Sequence, residues 1–168
     1  MMSLPRISIQ RTTVIVFFLL LAAVSTRAPN DFDTFWHLRA GERIVAERAV
    51  PLTDSFSHTF DGQPRTPHDW LGQVALYGTY QLLGDAGLAL LTMALAVGGM
   101  AFLWKASDGG TYTRAFALFL CAAVAAAFWA ARPQMFSFFL SALTLWIVYR
   151  YKRHDEDRLW LLPPLFAL

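Results

Sequence analysis

Four stretches of the chain carry no charge and lie between charged boundaries: Thr12–Thr26, Ala86–Trp104, Ala115–Ala131 and Met135–Tyr149. A helix needs about 20 residues to cross about 30 Å of hydrocarbon. The second and third runs reach that length directly. The first and fourth reach it when flanking residues join and arginines extend toward the headgroups. The pattern predicts an all-α membrane protein with four transmembrane helices, at about 12–27, 85–105, 115–131 and 134–150, and a partial fifth at 159–168. A long helical external loop, 28–69, and an interfacial helix, 69–83, lie between the first and second spans.

The first run has two readings. Arg6 and Arg11 before an apolar stretch, with Ala23 and Ser25 after it, suit an uncleaved anchor or a cleaved signal peptide. Either places the next segment outside the cytoplasm. The bias of Lys and Arg in the connectors agrees. With the N-terminus cytoplasmic, Arg6, Arg11, Lys105, Arg114, Arg150, Lys152, Arg153 and Arg158 all fall inside, eight of fourteen basic residues. Trp104, Trp146 and Trp160 then fall at cytoplasmic helix ends and Trp129 at an external one, the headgroup level that indoles favour. Gly98-Gly99 and the alanines of the third run are expected at close helix packing faces, and Cys121 is expected as a buried, inert thiol.

The final ten residues, "LWLLPPLFAL", span about 15 Å as a helix, half the hydrocarbon. They read as the start of a further span, so the chain is expected to be the N-terminal part of a larger unit, completed by missing C-terminal spans or a partner subunit. Pro163-Pro164 ending a surface helix is the other reading.

Composition sharpens the class. Of 168 residues, 56% are hydrophobic and only 15% charged, against about 25% charged in soluble domains. A soluble globule of this length has too little interior for such a content. The net charge of +2 is too small to imply nucleic acid or another acidic partner. One cysteine permits no internal disulfide.

The external loop is the exception. Residues 28–69 hold seven of the twelve acidic residues and three of the four histidines, His37, His58 and His68. Its first part predicts a helix from near Asp33 to before Pro51, capped by Asn30, Asp31 or Asp33. Phe35, Trp36, Leu38, Ile44 and Val45 would face the membrane or partner helices. An extended, turn-rich stretch follows, with a turn at Asp61-Gly62. The mostly apolar helix after His68 closes at Gly84.

Candidate chemistry lies in this loop. Asp31 and Asp33 can bind a divalent cation such as Mg²⁺ or Mn²⁺, or supply a general base; helix capping is the simpler role. The histidines are separated by 21 and 10 residues, which matches no compact zinc pattern. Arg39, Arg43, Arg65 and Arg132 could hold an anionic headgroup. Glu42 and Glu47 stand close enough to Arg43 and Arg48 for surface pairing. Arg132, in "ARPQMF", has no acidic neighbour in sequence, and either a phosphate partner or simple extension to the headgroups would suit it.

Taken in order, Asp31 and Asp33, Trp36-His37-Leu38 with Gly41, Val50-Pro51-Leu52-Thr53-Asp54, His68-Asp69-Trp70-Leu71 and Arg132-Pro133-Gln134 form a longer pattern. It resembles the first external loop and a later helix start of a bacterial GT-C-type membrane glycosyltransferase family. That family shows an Asp-x-Asp-like pair, "WWHLxxG", "VPxTDPFSxT", "HEWL" and "RPQ". The departures are Phe35 for a second Trp, Ser55 for Pro and Asp69 for Glu.

The resemblance implies inverting sugar transfer from a polyprenyl-phosphate-linked donor at the external face of the bacterial cytoplasmic membrane. Asp31 or Asp33 would be catalytic, orienting or deprotonating the acceptor hydroxyl. His37, Arg39, His68, Asp69 and Arg132 would bind substrate. Members of the type have many more spans, so this chain is expected to be inactive alone. The alternative is a non-catalytic polytopic membrane protein or assembly subunit. A small transporter is the weakest alternative, because no ionisable residue lies inside a predicted span.

Overall fold

The computed structural model describes residues 8–26, 31–54 and 56–166. Arg6, Arg27, Asn30 and Ser55 lie outside these, as do the last two residues. The fold is helical: α1 (Ile9–Ser25), α2 (Phe32–Glu47), α3 (Trp70–Lys105), α4 (Thr111–Ala125), α5 (Gln134–His154) and the short α6 (Leu162–Phe166). Single 3₁₀ turns follow α4 and precede α6. Among the described residues, β pairing is confined to one isolated antiparallel bridge, Thr53 with Pro64.

Local chemistry explains the boundaries. The Ser8 hydroxyl accepts the Arg11 amide and starts α1. At its far end the Ser25 and Thr26 hydroxyls donate to the carbonyls of Leu21 and Ala22, at 2.7 and 2.6 Å, and the Thr26 amide also donates to Ala22. α2 starts at Asp31 and ends at Arg48 in the left-handed conformation (φ 51°), after which Pro51 cannot donate to continue it. Residues 52–65 then fold back on themselves. The Asp54 carboxylate accepts the amides of Phe56 and Ser57, both at 2.9 Å. Those two bonds hold its carboxyl below the ordinary range.

α3 is 36 residues long and broken at Gly84 (φ 59°, ψ −149°), a conformation open essentially to glycine alone. The expected interfacial helix and second span are therefore its two halves, joined without a loop. Gly98 and Gly99 let α5 approach α3. A Cβ at Gly98 would lie 2.8 Å from the Phe139 ring, and one at Gly99 would press on Phe138 in the same way.

Two cores result. One gathers Phe17 and Leu21 of α1, Ala96 and Met100 of α3, Leu118 and Ala122 of α4, and Trp129 and Met135. The other joins Leu38 of α2, Leu76 and Leu88 of α3, and Ala131 before α5. The second core seats the polar segment on the helices. The α2 face it uses is Thr34, Leu38, Gly41 and Ile44, the spacing of one helical side. Of the apolar α2 residues expected to face the membrane or partner helices, Leu38 and Ile44 are buried, while Phe35 and Val45 are exposed.

Among the described residues, two helices are long and apolar enough to cross a membrane: α3, and α4 continued through Phe128. α1 is equally apolar but 17 residues long. The outer surface of α4 exposes Phe116, Phe119, Leu120 and Val124, a face suited to hydrocarbon rather than water. Cys121, expected inside, is exposed on this helix. Only Leu118 and Ala122 of the alanine-rich run are buried in it. The expected third span stops short of Ala131, because the backbone turns from Trp129 to Pro133. The tail expected as a partial fifth span is a 3₁₀ turn and five helical residues, with Trp160 and Phe166 exposed.

Basic residues gather where α3, α4 and α5 meet. The Arg114 guanidinium lies over the Trp104 ring at 4.8 Å, and Lys105 and Arg158 lie over Trp146 at 5.8 and 5.5 Å. Asp108 ties the α3–α4 connector to α5, accepting from the Tyr149 hydroxyl at 2.6 Å and from Arg153 at 2.8 Å. These bonds, Tyr149 foremost, hold its carboxyl below the ordinary range.

Candidate functional site

The polar segment returns to the helices at two clusters. The first is built on Asp31. Its Oδ1 accepts the Asp33 amide at 3.1 Å, and its carbonyl accepts the Thr34 amide at 3.0 Å, so it is the residue that caps α2. Its Oδ2 takes the Nε and Nη2 of Arg132, 101 residues away. Nη1 of the same guanidinium lies 2.9 Å from Asp33 Oδ2. One arginine thus joins both carboxylates of the Asp-x-Asp pair.

The backbone holds Arg132 in place. Its amide donates to the Ala130 carbonyl at 2.7 Å and its carbonyl accepts the Met135 amide at 3.1 Å. Pro133 follows, and it packs so near α3 that a Cβ on Gly72 would come within 2.9 Å of its Cβ. A larger residue at 72 would push the Arg132 turn off the helix.

The second cluster centres on Gln73, 1% exposed on the first turn of α3. Its amide nitrogen donates to Asp69 Oδ2 at 2.8 Å and stands 3.2 Å from His37 Nδ1. The amide therefore donates to an unprotonated Nδ1, which leaves the ring proton on Nε2. Asp69 Oδ2 is itself 3.5 Å from His37 Nδ1, and Arg65 lies 3.7 Å from Asp69 Oδ1. The Arg65 guanidinium also lies over Trp36 at 4.5 Å.

Burial pushes the His37 pKa below its ordinary 6.5, against the pull of Asp69 and Asp33; Arg132 and Arg65 add to the lowering. His37 is accordingly neutral at pH 7.

Between these clusters and the helices opens a cavity of about 850 Å³. His37, His68, Asp69 and Arg132 line it. α3 and α5 supply its apolar lining: Leu71, Ala75 and Leu95 from one, Phe136, Phe139 and Leu140 from the other. The lining thus combines ionic and polar groups, Gln134 and Ser137 of α5 among them, with apolar side chains of both helices.

Of the expected site residues, His37, His68, Asp69 and Arg132 come together around this cavity. Asp31 and Asp33 reach it only through Arg132. Arg132, which had no partner in the sequence, is the most heavily paired residue of the site. Arg39 is not part of it: the side chain is 70% exposed and pairs with Glu42 on the outer face of α2. Arg43 pairs with Glu47 at 2.7 Å, one of the expected surface pairings, while Glu42 takes Arg39 rather than Arg43 or Arg48. His58 is exposed in the folded-back stretch.

Among the described residues, no group of three or more His, Cys, Asp or Glu side chains is placed to hold a metal ion. At the Asp-x-Asp pair, the position a divalent cation would take is filled by the Arg132 guanidinium. Gln73 was not foreseen as part of the site, whereas Arg65 was expected as an anion-holding candidate and instead lies beside Asp69 and over Trp36. The only hint of Gln73 in the sequence is its place one helical turn after Asp69.

Comparison with protein-family models, with curated proteins and with solved structures gives no match to this chain.

Proposed function

We propose that this chain is a multi-pass protein of the bacterial cytoplasmic membrane, N-terminus inside, whose 31–69 segment works at the external face. In this reading its cavity receives a polyprenyl-phosphate-linked sugar, and the protein acts in GT-C-like glycosyl transfer. The observation that carries the reading is the cavity: Arg132, His37, His68 and Asp69 line it together with apolar side chains of two helices. A ligand with a phosphate and a long hydrocarbon chain matches both kinds of lining, and few other ligands do.

The residues take roles by their free valences. Arg132 offsets the charge that develops on the departing lipid phosphate. Asp31 has both oxygens engaged, one with the α2 cap and one with Arg132, and acts as a positioning residue. Asp33 uses only Oδ2, and its side chain is 60% exposed, so Asp33 is the carboxylate able to accept a proton.

In the transfer, the acceptor hydroxyl oxygen bonds to the anomeric carbon from the side opposite the phosphate. The carbon–oxygen bond to the phosphate breaks, the lipid phosphate leaves with the electron pair, and the hydroxyl proton passes to Asp33. A positioned base contributes about 10²- to 10⁴-fold to such a step. Neutral His37 is able to donate from Nε2 to a phosphate or sugar oxygen.

A second reading has its own support. Both first-loop carboxylates are paired with one cation, which suits a non-catalytic lipid-phosphate binder or assembly subunit. One experiment separates the two. Membranes carrying the protein are given polyprenyl-phosphate-linked radiolabelled hexose or pentose, and release of polyprenyl phosphate is followed. Turnover that falls at least about a hundredfold in Asp33→Asn, with donor still bound, supports transfer. Donor binding without turnover in the unaltered protein supports the binder. Absence of donor binding removes both.

A further inference from the structure

We infer that Asp33 sets the ligand selectivity of the cavity by competing with phosphate for Arg132; this rests on the lipid-phosphate reading above. The two carboxylates on Arg132 are not equivalent. Asp31 is 26% exposed, holds Nε and Nη2, and is tied by its other oxygen to the start of α2. Asp33 is 60% exposed, holds Nη1 alone, and its other oxygen has no partner among the described residues. An incoming anion therefore exchanges with Asp33, while Asp31 keeps the guanidinium in place.

Charge decides which anions succeed. Arg132 with two carboxylates carries a net charge of −1 and repels a bare anion. A ligand that also fills the apolar walls along α3 and α5 gains enough binding from its tail to displace Asp33. Free phosphate does not. The triad thus admits a phosphate only when it is attached to hydrocarbon, and the exchange releases Asp33 Oδ2 to take a proton when the donor is in place.

The test uses the full chain in detergent micelles, with farnesyl phosphate, farnesol and inorganic phosphate as probes. The unaltered protein should bind farnesyl phosphate more tightly than farnesol, and millimolar inorganic phosphate should not compete. Asp33→Asn should tighten farnesyl phosphate about twofold to fivefold, the range expected for loss of one exposed ionic competitor. It should leave farnesol unchanged and let inorganic phosphate compete. Asp33 makes no capping bond, so the variant keeps α2, which circular dichroism checks.

If the unaltered protein prefers farnesyl phosphate but Asp33→Asn binds it equally or more weakly, Asp33 is not a competitor and the lipid-phosphate reading survives. If farnesyl phosphate and farnesol bind the unaltered protein alike, that reading fails and the competitor role goes with it.

Discussion

Gly41 of α2 faces the Gln73 carbonyl of α3 with no room for a side chain: a Cβ there would run into that oxygen and come within 2.8 Å of Tyr77 Cβ. The obstacle is helix backbone, which cannot rotate away. Gly41→Ala should therefore lift α2 off α3, at a cost of about 1–3 kcal/mol. It should also separate His37 from Gln73. Thermal unfolding in detergent should show a lowered midpoint, with farnesyl phosphate binding weakened alongside. An unchanged midpoint would mean that α2 does not seat here.

Gly84 and Gly78 make a controlled pair. Neither has a heavy atom within 4 Å of a built Cβ, but only Gly84 has positive φ. Gly84→Ala should destabilise by about 1–3 kcal/mol through backbone strain alone. Gly78→Ala, in regular helix, should stabilise by about 0.5–1 kcal/mol. Opposite shifts in unfolding midpoint are expected. Equal shifts would deny the break between the halves of α3.

His37 makes stability depend on pH. Its folded pKa lies below 6.5, so the unfolded chain takes up the proton first as pH falls. Stability is complete above pH 6.5 and declines below it, until the folded pKa is passed. His37→Gln keeps an acceptor for Gln73 and has no such titration. Unfolding midpoints between pH 5 and 7.5 should slope upward for the unaltered protein and run flatter for the variant. Parallel curves would place the titration elsewhere.

Removing Arg132 leaves Asp31 and Asp33 facing each other without a cation. Arg132→Gln should cost about 1–3 kcal/mol, the worth of hydrogen bonds to charged groups. Asp31→Asn should cost less, because asparagine caps a helix as well as aspartate. A double-mutant cycle on unfolding free energy measures their coupling. A coupling near zero would show that the pair does not join α2 to α5.

Topology is open to direct labelling. In a Cys121→Ser background, cysteines replacing His58 and Lys152 both lie at exposed positions. An impermeant maleimide applied to intact spheroplasts should label the first and spare the second. The reverse result would invert the orientation and remove the external donor site.

The linear pattern was enough for what depends on neighbours along the chain. Helical periods, a cap on α2 among Asn30, Asp31 and Asp33, the Asp61-Gly62 turn and the closure at Gly84 all follow from hydrogen bonds and φ angles within a few residues. So does the close packing of Gly98-Gly99, because a missing side chain is visible in the sequence. Part of the site was legible for the same reason: polar residues crowded between apolar runs have nowhere else to go.

The partners were not legible. Asp31 and Arg132 are 101 residues apart and His37 and Gln73 are 36 apart, and no local energy encodes either pair. Arg39 and Arg132 were both expected to hold an anionic group, yet one meets water and Glu42 while the other lines the cavity. The difference lies in which side of α2 seats on α3 and where the α4–α5 turn lands. Packing of whole helices sets both, because an ionic group is desolvated or paired only by surfaces that folding brings to it.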